Sequence, residues 1–320
     1  MKILVIGSFM MDLVVRTPRA PLEGETIIGH SFSQFTGGKG ANQAVAAANL
    51  GADVTILGKV GNDSYGDAQI KSLKGVGINT NYIMRDSNAS TGIGFITLED
   101  NGKNRIIIIP GANMLFKPEE VKKNKELISD SDIIILQFEI PMETVYAAID
   151  LGYKFNKTII LNTAPSARID KYYLAKVDYL ILNEIETRDF TGVNIVDDKS
   201  ANTAGHKLLD MGCKNVVITM GDKDVLFLNN RESFYVNSIK VKVVDTTAAG
   251  DEFIGAFAYG LSRRFTHEQC TKFANAAAAI SVTKIGAQPS LPKLNEVKKF
   301  IIDNNIDMGG VKFEEDRNLK

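Results

Sequence analysis

Short apolar runs alternate with longer helical patterns along most of this chain, and no other feature constrains its fold as strongly. Residues 3–6, 54–59, 132–137, 158–162, 179–182, 215–219 and 225–228 read as strands, most of them without a polar face. Such strands must be covered on both sides. Helical periodicity over residues 40–50 and 65–76 supplies that cover between the early strands. Strand and helix alternating in this way indicate βαβ units. The expected fold is α/β, a doubly wound, mostly parallel sheet flanked by helices. The last third adds helices over 251–263, 266–282 and 293–304.

Residues 10–36 and 91–110 break the alternation. They contain extended, half-polar segments at 13–16, 26–35, 92–98 and 104–109 with no helix between them. Asp100-Asn101-Gly102 separates the later pair, a good hairpin signal. The expected division is an α/β core from residues 1–9, 37–90 and 111–305, and a small β-sheet lid from the two insertions. Exposed sheet edges need covering, and pairing of two copies through the lid is one solution. Residues 306–320 turn polar and unpatterned, and are expected to form a loosely held tail.

At 320 residues the chain has room for one large α/β domain with an appendage, or for two domains. Lys+Arg 37 against Asp+Glu 38 gives a net charge of −1 without long like-charge blocks, which argues against broad binding to nucleic acid or an anionic membrane. No apolar stretch reaches the roughly 18 residues of a membrane span. The N-terminal run lacks a basic region and a cleavage site, and reads as a first strand. Cys213 and Cys270 are too few for a disulfide framework or a four-ligand zinc site, so free thiols in a reducing cytoplasm are expected. His30, His206 and His267 are expected on the surface, without metal-ligand partners.

Two segments carry chemistry. Gly37-Gly38-Lys39-Gly40-Ala41-Asn42-Gln43-Ala44 is a glycine-rich turn running into an alanine-rich helix. Glycines permit close backbone approach, the helix start offers free N–H groups, and Lys39 and Asn42 add polar reach. The segment has neither Walker A nor Gly-x-Gly-x-x-Gly spacing, and alone it also reads as a plain strand-to-helix turn. Asp245-Thr246-Thr247-Ala248-Ala249-Gly250-Asp251 closes an apolar run and opens a second helix. Its small residues expose successive N–H groups to developing negative charge, and Asp251 can take a proton from a hydroxyl resting on it. Alone, Asp251 also reads as a capping acid.

Together these segments resemble the two signature sequences of the ribokinase-like carbohydrate kinases, also called the PfkB family. The resemblance to the ribokinase branch runs through Val5-Ile6-Gly7-Ser8, Pro21-Leu22-Glu23-Gly24-Glu25-Thr26, Gln137-Phe138-Glu139, Asn162-Thr163-Ala164-Pro165, Asn183-Glu184-Ile185-Glu186 and Gly286-Ala287-Gln288-Pro289-Ser290. It covers about residues 1–300. It implies a homodimeric sugar kinase in which a sugar hydroxyl attacks the γ-phosphate of ATP. Asp251 matches the family's base, and Ala248, Ala249 and Gly250 match its anion hole. Many members carry glycine at the position of Ala248, although the ribokinase branch often has alanine.

The same matching assigns Met10, Asp12, Gly38, Lys39, Asn42, Glu139 and Asp251 to the sugar. It assigns Asn183, Thr219, Gly221, Asp224, Gly250 and Asn275 to ATP; at Asp224 members usually carry glycine. Glu186 is implied to act on Mg²⁺ through water. Asp245, Thr247, Ser281, Lys284, Gly286 and Ser290 are implied to surround a monovalent cation, expected to be K⁺.

Met10 is the departure on the sugar side. Ribokinases commonly read Ser-Ile-Asn-x-Asp where this chain reads Ser8-Phe9-Met10-Met11-Asp12, so an amide has become a thioether. Kinases preferring 2-deoxy-D-ribose resemble this chain there. A buried hydroxyl facing Met10 would lose a partner at a cost of about 1–3 kcal/mol, whereas a methylene would be comfortable. The implied reaction is phosphorylation of the 5-hydroxyl of 2-deoxy-D-ribose. If Met10 merely fills space, the substrate is D-ribose. A non-catalytic sugar sensor and a kinase of nucleosides or hexoses are the remaining alternatives, disfavoured by intact Asp251 and by the Gly37 to Gln43 segment.

Overall fold

Ile3 to Ile6 present no polar side chain, and the chain buries them on both faces. A computed structural model describes residues 1–311 and contains two sheets. The strands are β1 (Lys2–Ile6), β2 (Met10–Thr17), β3 (Ser31–Gly37), β4 (Asp53–Gly61), β5 (Asn79–Asp86), β6 (Gly92–Glu99), β7 (Asn104–Ile109), β8 (Ile133–Leu136), β9 (Thr158–Asn162), β10 (Tyr179–Asn183), β11 (Asn215–Thr219), β12 (Val225–Asn229) and β13 (Ser233–Val236). The large sheet has nine strands in the order β13-β12-β11-β10-β9-β8-β1-β4-β5. From β11 to β5 every pairing is parallel, and only the β11–β12 and β12–β13 pairings at one edge are antiparallel.

Alternation along β1 builds both cores at once. Ile3 and Val5 join one apolar cluster with the helices Lys39–Asn49, Ala249–Ser262 and His267–Ser281, while Leu4 and Ile6 join the other with Met142–Lys154 and Asp198–Asp210. This is the doubly wound arrangement that the apolar runs require. No helix among the described residues is long and apolar enough to cross a membrane.

The second sheet, β3-β2-β6-β7, comes from the two insertions. β2 pairs antiparallel with β3 and parallel with β6, and β6 turns into β7 through Asp100, Asn101 and Gly102. The second extended segment of the first insertion becomes strand only from Ser31, not from residue 26 as expected.

Two other expectations need correction. Residues 306–311 do not hang loose: Met308 is buried, Ile306 and Val311 pack on the core, and Gln269 Nε2 donates to the carbonyls of Met308 and Gly309. The rest of the expected tail, 312–320, lies outside the described residues. His267 is not a free surface histidine. Its Nε2 lies 2.9 Å from the Tyr179 hydroxyl and its Nδ1 2.6 Å from Glu232 Oε1, because its helix starts where β10 begins and β12 turns into β13.

Candidate active site

Parallel strands end at one edge of the large sheet, and the chain gathers its polar residues there. Ser8 and Glu139 follow β1 and β8, while Asn162, Asn183 and Thr219 end β9, β10 and β11. Ligands of open α/β sheets bind along this carboxyl edge. The N-termini of helices Lys39–Asn49 and Ala249–Ser262 meet at the same place. They can approach because Gly255 faces Ala46, where a Cβ would find no room.

Asp251 is the node of the site. It is buried, its Oδ2 accepts from Asn42 Nδ2 at 2.9 Å, and its Oδ1 accepts from Gln43 Nε2 at 2.9 Å. Gln43 is fixed in turn by Gln137, whose Nε2 donates to Gln43 Oε1 at 2.6 Å, and it also donates to Asn162 Oδ1 at 3.2 Å. Two amides thus aim the carboxylate before any substrate arrives. Asn42 Oδ1 is buried with no partner among the described residues, an acceptor left for a ligand hydroxyl.

Glu139 accepts at Oε2 from the backbone N–H of Lys39, 2.9 Å, and from Ser8 Oγ, 2.5 Å, which ties the glycine-rich turn to the sheet edge. Gly38 opens that turn at φ 92°, and a Cβ on it would strike the backbone of Phe9 and Met10. Lys39 is pulled two ways: burial lowers its pKa, but Asp251, Glu139 and Glu186 together raise it above the ordinary value. Its ammonium therefore stays charged under the pull of these three carboxylates.

Asp12 and Met10 reach the site from the small sheet. Residues two apart on a strand share a face, so both project on the same side of β2. Asp12 lies in space left by two glycines, since a Cβ on Gly37 or Gly94 would come within 2.5 or 2.6 Å of its carboxylate oxygens. Burial, then the negative charges of Glu139 and Asp251, push its pKa up to about 7. Met10 is 3% exposed, and its sulfur sits 3.8 Å from Asn113 Nδ2.

A cleft of about 210 Å³ opens beside this group, lined by Lys39, Asn183, Glu186, Thr219, Thr246, Ala248, Ala249, Gly250 and Asp251 among others. Ala248 takes a left-handed φ of 61°, uncommon for a residue with a side chain, and no side chain caps the helix that follows. Uncapped N–H groups at a helix start form an anion site. Across the cleft Asn183 and Glu186 cap each other's backbone, and the Asn183 amide donates to Glu186 Oε1 at 3.0 Å. Burial raises the Glu186 pKa against the pull of the Asn183 N–H and Lys39.

The remaining sequence candidates are dispersed. Gly221 turns the chain after β11 at φ 61°. Asp224 lies outside the cleft: its Oδ1 accepts from the Ser238 N–H at 3.0 Å, and it borders a separate groove with Asp197, Lys199 and Lys223. Asn275 holds the carbonyl of Asn237 at 2.9 Å. Asp245 accepts from Thr247 N and Oγ1 and from the Gly286 N–H, bonds that outweigh burial and hold its pKa below the ordinary value. Ser281 and Ser290 are buried, while the Lys284 ammonium turns to Glu296 at 2.6 Å. Sequence reasoning did not single out Gln43, Gln137, Asn113 or the fully buried Glu252. The first two stood in quoted motifs, but nothing local indicated that they meet.

Comparison with known proteins places this geometry. The family model described as pfkB family carbohydrate kinase matches residues 1–294. A deoxyribokinase of Salmonella typhi is 39% identical over 302 residues, covering 94% of this chain and 99% of that protein. The crystal structure of Thermotoga maritima ribokinase superposes with a TM-score of 0.86 at 40% identity, over 94% of this chain and 99% of that one. Arabidopsis thaliana ribokinase, complexed with ribose and ATP, gives a TM-score of 0.89 at 32% identity, over 93% and 98% of the two chains. This chain therefore belongs to the pfkB family of carbohydrate kinases, and it is a sugar kinase of the ribokinase-like branch.

Proposed function

We propose that this sugar kinase transfers the γ-phosphoryl group of ATP to the 5-hydroxyl of 2-deoxy-D-ribose, with D-ribose as the poorer substrate. The observation that carries the preference is the place of Met10. It shares with Asp12 the face of the small sheet turned toward Glu139 and Asp251. A thioether there gives a methylene an apolar neighbour and offers a hydroxyl no donor. The 39% identical deoxyribokinase supports the reading, and the ribokinase complexed with ribose and ATP supports the pair of ligands.

In this reading Asp12, Glu139, Lys39, Asn42 and the Gly38 backbone hold the sugar hydroxyls, and the 5-hydroxyl rests on Asp251. Its oxygen forms a bond to the γ-phosphorus as the bond to the β,γ-bridging oxygen breaks. The proton passes to Asp251, and ADP leaves. N–H groups at Ala248, Ala249 and Gly250 receive the charge on the transferred group, so the chain contributes mainly positioning and electrostatics. Thr219, Gly221 and Asn183 border the nucleotide side, and Asn275 its base end.

Mg²⁺ fits this chemistry. Among the described residues no cluster of three His, Cys, Asp or Glu side chains is arranged for a metal, and besides the base Asp251 one carboxylate, Glu186, lines the cleft. An ion that keeps waters and takes phosphate oxygens needs no more, and when bound it neutralises phosphate charge. Oxygen atoms of Asp245, Thr247, Ser281, Lys284, Gly286 and Ser290 would hold a monovalent cation such as K⁺ behind the anion hole; Asp245 and Gly286 are already joined there at 2.9 Å. The small sheet would act as a lid whose outer face pairs with a second copy.

Steady-state kcat/KM for 2-deoxy-D-ribose and D-ribose, measured side by side with Mg·ATP and K⁺, tests the preference. Deoxyribose is expected to win in the wild type, and Met10→Asn to shift the ratio toward ribose by about 5- to 150-fold. Ribose winning in both proteins would make this chain a ribokinase and Met10 simple packing.

A further inference from the structure

Met10 does not hold its place alone. Asn113, fully buried in the short 3-10 helix that follows β7, reaches back across 104 residues to the segment that carries it. Asn113 Oδ1 accepts from the Phe9 N–H at 2.9 Å, and its Nδ2 donates to the Phe9 carbonyl at 2.8 Å and to the Pro110 carbonyl at 2.9 Å. The same Nδ2 lies 3.8 Å from the Met10 sulfur. Gly92, the first residue of β6, closes the other side: a Cβ there would lie 2.5 Å from both the Met10 sulfur and Asn113 Nδ2. Beyond Met10, Gln69 Nε2 donates to the Met10 carbonyl and, at 3.3 Å, to that of Gly37.

One amide thus joins three things: the backbone entering β2, the point where the lid strands rejoin the core, and the thioether in the row with Asp12. Both hydrogens of Nδ2 are committed to carbonyls, so none remains for a sugar hydroxyl. We propose that Asn113 is a specificity-determining positioning residue, which sets the sugar preference by fixing the Phe9–Met10 segment and boxing the Met10 side chain. It never touches the sugar; it acts through Met10 and ties that side chain to the root of the lid. This rests on the reading of Met10 as a wall of the sugar site.

A double-mutant cycle tests it. The kcat/KM ratio of 2-deoxy-D-ribose to D-ribose is measured for wild type, Asn113→Ala, Met10→Ala and the double variant, with KM and kcat resolved. Removing the Asn113 amide is expected to shrink the wild-type ratio about 5- to 10-fold, mainly through KM, and to leave the Met10→Ala ratio within about twofold. A ratio unchanged in Asn113→Ala overturns the proposal, as does an equal shift in both backgrounds, the mark of a merely structural role. If Asn113→Ala fails to fold by circular dichroism, Asn113→Asp, which keeps the acceptor for Phe9, is read in the same cycle. Failure of the substrate reading is visible separately, as a wild type that favours ribose, while the dependence on Met10 still decides the role of Asn113.

Discussion

Two carboxyl groups, one half-buried and one fully buried, give the residue scale its sharpest consequences. Burial, Glu139 and Asp251 push the Asp12 pKa up to about 7, and in its proposed role as acceptor for sugar hydroxyls it must be ionised. Wild-type kcat/KM for the sugar should therefore climb as pH rises through about 7, whereas Asp12→Asn should be slower but lack that limb. An identical limb in Asp12→Asn would assign it elsewhere. Glu252 is fully buried with neither carboxylate oxygen partnered among the described residues. Burial pushes its pKa from 4.5 to about 8, with Lys284 opposing and Asp251 and Glu296 adding to the rise. Between those values the native state binds more protons than the unfolded chain, so stability falls as pH rises, by at most about 1.4 kcal/mol per pH unit, and levels above 8. Urea unfolding at pH 5, 6.5 and 8 should show Glu252→Gln gaining on wild type with pH; parallel curves would contradict this. Glycines, Asp251 and Asn183-x-x-Glu186 were legible because their spacing is local. Gln137 to Gln43 and Asn113 to Phe9 were not, since those bonds close over 94 and 104 residues and leave no periodic trace.

At the scale of elements, the site depends on two helices brought together at the sheet edge. Helix Lys39–Asn49 brings Asn42 and Gln43, helix Ala249–Ser262 brings Asp251, and Gly255 sets their separation. Gly255→Val would force them apart at a cost of about 1–3 kcal/mol and weaken both amide bonds to Asp251. Thermal melts and kinetics should show a lower Tm together with kcat reduced more than KM is raised; a normal kcat would mean the carboxylate does not need this alignment. The buried parallel strands were readable from their apolar runs. β5 and β13 were not, because edge strands with half-exposed, mixed faces carry little pattern.

The whole molecule adds a surface that one copy leaves uncovered. Register puts Leu13, Phe95 and Ile107 in one row across the small sheet, opposite the Asp12 face, with Phe32 beside Val15 in the next row. Phe32, Phe95 and Ile107 are exposed, the kind of contiguous apolar face that marks an interface. Light scattering should report a dimer for the wild type and a monomer for the combined Phe95→Glu and Ile107→Glu variant; a wild-type monomer at all working concentrations would contradict the pairing. The two sheets were separable in the sequence because the insertions interrupt its alternation. Which face of the small sheet turns toward Glu139 and Asp251 was not, since that follows from how β2 pairs with β6 across some 80 residues.

The central claim is phosphoryl transfer to a pentose with Asp251 as the base. Its most direct test follows 2-deoxy-D-ribose and Mg·ATP by ³¹P NMR with wild type and Asp251→Asn, alongside sugar binding by calorimetry. The wild type should form 2-deoxy-D-ribose 5-phosphate and ADP, and Asp251→Asn should turn over about 10²- to 10⁴-fold more slowly with sugar affinity retained. A wild type that binds the sugar without phosphorylating it, or an Asp251→Asn variant of undiminished rate, would contradict the account.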